Sequence, residues 1–197
     1  MDFQKTILKE DILKLPKEVF PGRIVVVNTK AELKEALIYL SSYPEIGFDT
    51  ETRPSFSKNK VYKMSLIQLS NNHTCFLIRL NKFQVIPSLL ETFLKNKTIK
   101  KIGLSLRDDF NGLHRLTKIS PNNFIDLQNY VGQFGIEELG LQKIYAILFG
   151  TRISKSQQRS NWDADVLSPS QIHYAALDAW SCLRIYQFLE QSKCTSI

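Results

Sequence analysis

Two kinds of β pattern restrict the folds that this chain can adopt. In the first half, segments 63–70 and 73–80 have the composition of strands and flank a pair of asparagines typical of a tight turn. In the second half, single apolar strands at about 99–104 and 124–127 alternate with helical segments. A tight hairpin joins antiparallel strands, whereas a strand–helix–strand unit joins parallel ones. The sequence therefore predicts an α/β fold in which helices flank a mixed central β-sheet.

Capping residues mark the starts of two predicted helices. Thr29 and Glu32 have the spacing of a capping box, and apolar residues follow them at helical intervals. Ser168 and Pro169 suit the cap and first position of the last helix, predicted to end near residue 191. The other predicted elements are strands at 23–28 and 45–51, helices at 82–96, 107–118 and 137–149, and a polar loop at 150–168.

The length of 197 residues suits one domain with a complete hydrophobic core. No repeat, low-complexity tract or linker interrupts the chain, so we predict a domain at 23–191. A polar, partly helical N-terminal arm at 1–22 is expected to precede it, and a tail at 192–197 to follow it. The chain has no apolar run of about 18 residues that could span a bilayer.

Three scattered cysteines without metal-ligand spacing indicate reduced thiols, and the charged N-terminus lacks the apolar core of a signal peptide. A cytoplasmic protein is therefore expected. The formal net charge is +7 and the pI is about 9.3. Such a charge favours phosphate-bearing partners such as nucleic acid, although a basic surface that only aids solubility has the same composition.

Four acids stand where carboxylates are costly unless they are solvated, paired or bound to a cation. Asp49 and Glu51 are two residues apart at the end of a predicted apolar strand and so point to the same face. Asp178 lies in an apolar, alanine-rich helix with no lysine or arginine three or four residues away, and Tyr174 is one turn before it. Asp109 follows another apolar strand. Each acid alone has a plainer explanation, such as a solvated strand end, a helix first turn or a Tyr–Asp hydrogen bond.

Together, four carboxylates from separate elements predict a site for two divalent cations, Mg²⁺ or Mn²⁺, which prefer oxygen ligands. Two such ions can hold the attacking water and the leaving oxygen of a phosphoryl transfer. No histidine or cysteine cluster offers a zinc alternative.

The acids belong to longer motifs that resemble a known family. The motifs are residues 49–51 (DTE), 102–109 (IGLSLRDD), 160–162 (SNW) and 174–179 (YAALDA). In this order they resemble the DEDD superfamily of 3′→5′ exonucleases, and within it the Tyr-containing branch of ribonuclease D and the Werner syndrome exonuclease domain. The resemblance covers about residues 23–190 and implies a ribonuclease H-like fold. It also implies an enzyme that releases nucleoside 5′-monophosphates from DNA or RNA.

The resemblance also implies residue roles. Asp49, Glu51, Asp109 and Asp178 would hold the ions, and Tyr174 would orient the attacking water. Asp109 is preferred to Asp108 because a bulky residue and a helix follow it, as in the family.

A sister branch uses a histidine five residues before the last aspartate, where this chain has His173. On a helix that begins near Pro169, position i−4 lies about 40° from Asp178 and position i−5 about 140° away. This geometry favours Tyr174 over His173.

Substrate contacts are expected near the motifs. Lys155 and Arg159 precede the last helix, and Phe56 lies among lysines after the first motif, a mixture that suits a single-stranded or frayed 3′ end. Thr50, between the two acids of the first motif, completes the expected set. The alternatives are a nucleic-acid-binding module that has lost catalysis and an enzyme for very short oligonucleotides. No membrane contact is predicted, and the sequence allows no protein partner to be inferred.

Overall fold

The computed structural model describes residues 3–55 and 61–194. Within them, six strands form one mixed sheet in the order β1-β4-β3-β2-β5-β6. The strands are β1 (Arg23–Val27), β2 (Glu45–Thr52), β3 (Met64–Ser70), β4 (Thr74–Arg79), β5 (Lys100–Gly103) and β6 (Phe124–Asp126). Strand β3 is antiparallel to both β2 and β4, whereas β1 pairs with β4, β2 with β5 and β5 with β6 in parallel. The predicted mixed α/β architecture is confirmed.

Helices cover both faces of this sheet. They are α1 (Lys9–Lys14), α2 (Lys30–Leu40), α3 (Ser88–Leu94), α4 (Leu106–His114), α5 (Leu127–Tyr130), α6 (Leu141–Phe149) and α7 (Pro169–Cys194). Residues of α2, α3 and α4 form one hydrophobic core with Phe48, Ile67 and Leu69 of the sheet. Residues of α6 and α7 form a second core against the opposite face, with Leu66 and Leu77. None of the helices described is long and apolar enough to cross a membrane.

Both predicted helix caps are present. The Thr29 hydroxyl accepts a hydrogen bond from the Glu32 N–H at 3.2 Å, and the Glu32 carboxylate accepts one from the Thr29 N–H at 3.0 Å. Ser168 and Gln171 make the same reciprocal pair at the start of α7. Each pair satisfies backbone donors that a helix N-terminus leaves free.

Three predicted helices differ in extent. The helix predicted at 82–96 begins only at Ser88, because Pro87 disfavours the helical conformation in the residue before it. The helix predicted at 107–118 ends at His114. The helix predicted at 137–149 begins at Leu141, after Gly140, while α5 and a 3-10 turn at Val131–Phe134 were not predicted. The shifts at Pro87 and Gly140 come from local backbone chemistry that hydrophobic spacing does not report.

Helix α7 packs unusually close to β2. A Cβ atom added at Gly47 would lie 1.9 Å from the carbonyl oxygen of Ala179, a separation that real atoms do not reach. Glycine at 47 and alanine at 179 therefore allow the backbones to approach each other. The contact fixes where Asp178, the neighbour of Ala179, lies relative to Asp49.

Gly47→Ala is expected to destabilise the fold by about 3 kcal/mol, because α7 must move away from β2. Chemical denaturation of the two proteins measures this loss. Gly132→Ala is the matched control, since no atom lies within 4 Å of an added Cβ there. Equal losses from both substitutions would contradict the close-packing account.

Candidate metal centre and active site

Three carboxylates meet between the end of β2 and the middle of α7. One oxygen from each of Asp49, Glu51 and Asp178 lies within 4.8 Å of the other two. Asp49 and Glu51 share the α7 face of the strand because they alternate with Thr50, and Asp178 faces them from the helix. The structure thus brings together three of the four acids that the sequence singled out.

The three acids are crowded in a poorly solvated place. Burial raises the pKa of Asp49 well above its ordinary value, and the charges of Asp178 and Asp109 raise it further. Burial and the charges of Asp49, Asp178 and Asp109 raise the pKa of Glu51 to about 10. Burial raises the pKa of Asp178 to about 7, against the lowering effects of a Tyr174 hydrogen bond and the Lys155 charge. Such a cluster of carboxylates favours the binding of protons or cations.

Asp109 approaches from the other face of the sheet. It lies in the first turn of α4 and accepts a hydrogen bond from the Thr50 hydroxyl. Its carboxylate is not part of the three-oxygen group, and burial raises its pKa to about 6. Asp108 is exposed to solvent. Of the two candidates, Asp109 is therefore the one directed at the end of β2.

Tyr174 and His173 lie on different sides of α7. Tyr174 is half-buried, its hydroxyl hydrogen bonds to Asp178, and its ring lies 6.0 Å from the ring of Trp162. Burial and the charge of Asp178 raise the pKa of the Tyr174 hydroxyl. His173 is exposed. In the structure, as in the helix geometry expected from the sequence, Tyr174 lies beside Asp178 and His173 does not.

A cavity of about 360 Å³ opens over the acids. Thr50 and Lys155, two of the predicted substrate contacts, line it, whereas Arg159 is exposed and is not among the lining residues. Phe56, the remaining predicted contact, lies outside the described residues. The sequence analysis missed most of the cavity wall, which also includes Leu104, Gln128, Leu139, Leu141, Gln142, Ile153 and Ser154. Apart from Leu104, which lies within the motif at 102–109, these residues belong to no motif, and only the fold brings them together.

Asp126, outside the cavity wall, is another residue that the sequence analysis missed. Its carboxylate accepts hydrogen bonds from the N–H groups of Ser105 at 3.0 Å, Leu106 at 2.9 Å and Gln128 at 3.0 Å. Ser105 has a left-handed backbone with φ of 62°, which is uncommon outside glycine. Asp126 therefore secures the strained start of α4, three residues before Asp109. An acid at a strand end before a new helix was the available signal.

With this geometry established, comparison with known proteins gives the family. Residues 24–192 match the family model described as 3′-5′ exonuclease, so the chain belongs to this family. Members of the family use divalent metals. The mouse bifunctional 3′-5′ exonuclease/ATP-dependent helicase WRN is 30% identical over 195 residues, which are 94% of this chain and 14% of that protein. Ribonuclease D of Gluconacetobacter diazotrophicus is 27% identical, over 88% of this chain and 44% of that protein.

Solved structures share the fold. The Aedes aegypti Nibbler EXO domain superposes with a TM-score of 0.81 at 23% identity, covering 90% of this chain and 93% of that one. Escherichia coli RNase D superposes with a TM-score of 0.77 at 23% identity, covering 88% and 46%. The ribonuclease H-like fold expected from the motifs is confirmed. The chain spans less than half the length of the WRN and ribonuclease D relatives.

Asp49→Asn is expected to stabilise the metal-free protein at pH 8. The cluster acids have folded-state pKa values above their unfolded values, so their contribution to stability is complete below about pH 4. It is lost as the pH rises through the folded-state values, which include about 7 for Asp178. Replacing one of these carboxyl groups by an amide should raise the melting temperature in EDTA at pH 8 by about 2–4 °C.

Melting curves between pH 5 and 8.5 check this expectation, with Asp108→Asn as the exposed control. The control should change stability by less than about 0.5 kcal/mol. A lower melting temperature for Asp49→Asn at pH 8 would show that the buried charges do not repel.

Proposed function

We propose that this exonuclease domain removes nucleotides one at a time from the 3′ end of a nucleic acid, using two divalent cations, Mg²⁺ or Mn²⁺. The observation that carries the proposal is the cluster of Asp49, Glu51 and Asp178 oxygens within 4.8 Å at the floor of a cavity. Asp109 is proposed as the fourth ligand, reaching the site once its bond with Thr50 gives way to a metal-bound arrangement.

The chemistry of the donor set fits these ions. All four proposed ligands are carboxylates, the hard oxygen donors that Mg²⁺ and Mn²⁺ prefer. The positive charge of the ions would offset the repulsion among buried acids. When bound, two such cations supply the charge that activates a water and stabilises the leaving oxygen. The remaining steps depend on side chains of the cavity.

Tyr174 is proposed to orient the attacking water, which places the chain in the Tyr-containing branch. Its raised pKa keeps the phenol protonated, so it can donate a hydrogen bond but does not serve as a base. Asp178 holds this hydroxyl from one turn along the same helix.

The proposed substrate is a single-stranded or frayed 3′ end. The cavity volume of about 360 Å³ is near the lower limit for ligand pockets and suits one terminal nucleotide better than a base pair. Lys155 is proposed to contact the phosphate of that nucleotide from the cavity wall, while Arg159 and Phe56 would contact the strand further on. Buried free thiols at Cys75 and Cys182 support a cytoplasmic location.

Asp178→Asn is expected to lower kcat at least about 100-fold, because it removes a metal ligand and the partner of Tyr174. The assay measures nucleoside 5′-monophosphates released from matched DNA and RNA strands with Mg²⁺ and with Mn²⁺. Asp108→Asn serves as the control and should retain wild-type activity. A wild-type protein that binds the strands but releases no monophosphate with either ion would instead be a catalytically inactive nucleic-acid-binding module.

Tyr174→Phe is expected to lower kcat by about 10- to 100-fold with little change in KM, since only the hydroxyl that orients the water is lost. His173→Ala, one residue away, should leave both constants unchanged. Steady-state kinetics on one strand compares the two variants. Loss of activity in the histidine variant alone would place the chain in the histidine-containing branch.

A further inference from the structure

The N-terminal arm contacts the residues just before each of the two stretches of chain that form the outer wall of the catalytic cavity. One stretch is 139–142 and the other is 153–155. The family match begins at residue 24, so the arm lies outside the part of the chain that the family model describes.

The first part of the arm holds the chain just before residues 139–142. The Glu137 N–H donates to the Lys5 carbonyl at 2.9 Å, and the Ile7 N–H donates to the Glu138 carboxylate at 3.2 Å. Leu139, the next residue along the chain, lines the cavity. The arm thus anchors one end of this wall stretch.

The second part of the arm holds the chain just before residues 153–155. The Arg152 N–H donates to the Pro16 carbonyl at 2.9 Å, and the Glu18 N–H donates to the Arg152 carbonyl at 2.9 Å. The Ile153 carbonyl in turn accepts a hydrogen bond from the Gln142 side chain at 2.6 Å. This last bond joins the two wall stretches, so a displacement of one would displace the other.

The Glu18 carboxylate connects this wall to helices α6 and α7. One of its oxygens accepts hydrogen bonds from Thr151 at 3.0 Å and Tyr145 at 2.9 Å, and pairs with Arg184 at 2.8 Å. The Glu18 side chain is only 17% exposed, and Arg184 lies on α7, the helix that carries Asp178. Charge-assisted bonds at a poorly exposed carboxylate are stronger than exposed ion pairs. The loop before Lys155 is therefore fixed relative to α7.

We propose that Glu18 is a positioning residue for substrate binding, which holds residues 151–155 so that Lys155 faces the phosphate of the terminal nucleotide. Glu18 itself contacts neither the acids nor the cavity. The inference rests on the proposed function, in which Lys155 binds substrate. Glu18 is therefore expected to affect KM, through Lys155. It is not expected to affect kcat, which depends on the acids.

A double-mutant cycle tests this coupling. Glu18→Ala and Lys155→Ala are each expected to raise the KM for a single strand about tenfold, with kcat within about twofold of wild type. In the Lys155→Ala background, Glu18→Ala should raise KM by less than about twofold, because the group that it positions is gone. Additive effects on KM, an unchanged KM or a loss confined to kcat would overturn the proposal.

Two further variants control for folding. Lys14→Ala removes an exposed arm residue that pairs with Asp11 inside α1, and it should leave KM unchanged. If Glu18→Ala does not fold, Thr151→Val decides, since it removes one donor to Glu18 and should raise KM about threefold in wild type but not in the Lys155→Ala background. An unchanged KM in Thr151→Val would then overturn the proposal.

A binding measurement separates this inference from the proposed function. Fluorescence anisotropy with labelled strands of about 12 nucleotides, in Ca²⁺, gives a Kd that does not depend on cleavage. Weaker binding by Glu18→Ala that is absent in the Lys155→Ala background supports the inference even if no cleavage occurs. Additive losses of affinity in a cleaving wild-type enzyme would reject the inference alone, and the exonuclease proposal would stand.

Discussion

The close contact between Gly47 of β2 and Ala179 of α7 is the constraint on which the rest of the site depends. Residue 179 can approach the strand because residue 47 has no side chain. The approach places Asp178 against Asp49 and Glu51, so that three carboxylate oxygens share a space of less than 5 Å. A larger residue at position 47 would separate the acids. The packing of α7 against β2 thus determines how the three carboxylates are arranged.

This arrangement opposes stability in the metal-free protein. Each acid at the cluster has a raised pKa because burial removes water, and the charges of the other acids raise the pKa values of Asp49 and Glu51 further. Nearby groups compensate only in part, through the Tyr174 hydroxyl and the charge of Lys155. Sites that hold such unfavourable charge are commonly sites of function. The bound cations of the proposed mechanism would provide the missing positive charge.

Features encoded locally could be predicted from the sequence. The capping box at Thr29, the i, i+2 acids of β2 and the helical spacing of Tyr174 and Asp178 depend on neighbours in the chain, and all are present. The bonds of Asp126 to Ser105 and Leu106 and the composition of the cavity wall could not be predicted, because they join residues that are distant in sequence and that only the folded sheet brings together. Asp109 shows the boundary between the two cases. Its helix was predictable, but its approach through Thr50 from the opposite face was not.

Anomalous diffraction from crystals soaked with Mn²⁺ and a nucleoside 5′-monophosphate tests the central claim most directly. The account predicts two manganese peaks about 3.5–4 Å apart, with Asp49, Glu51 and Asp178 among the ligands and Asp109 on the second ion. Tyr174 should lie beside the phosphate. Well-diffracting crystals with no manganese peak at these carboxylates, and manganese bound elsewhere, would contradict the account.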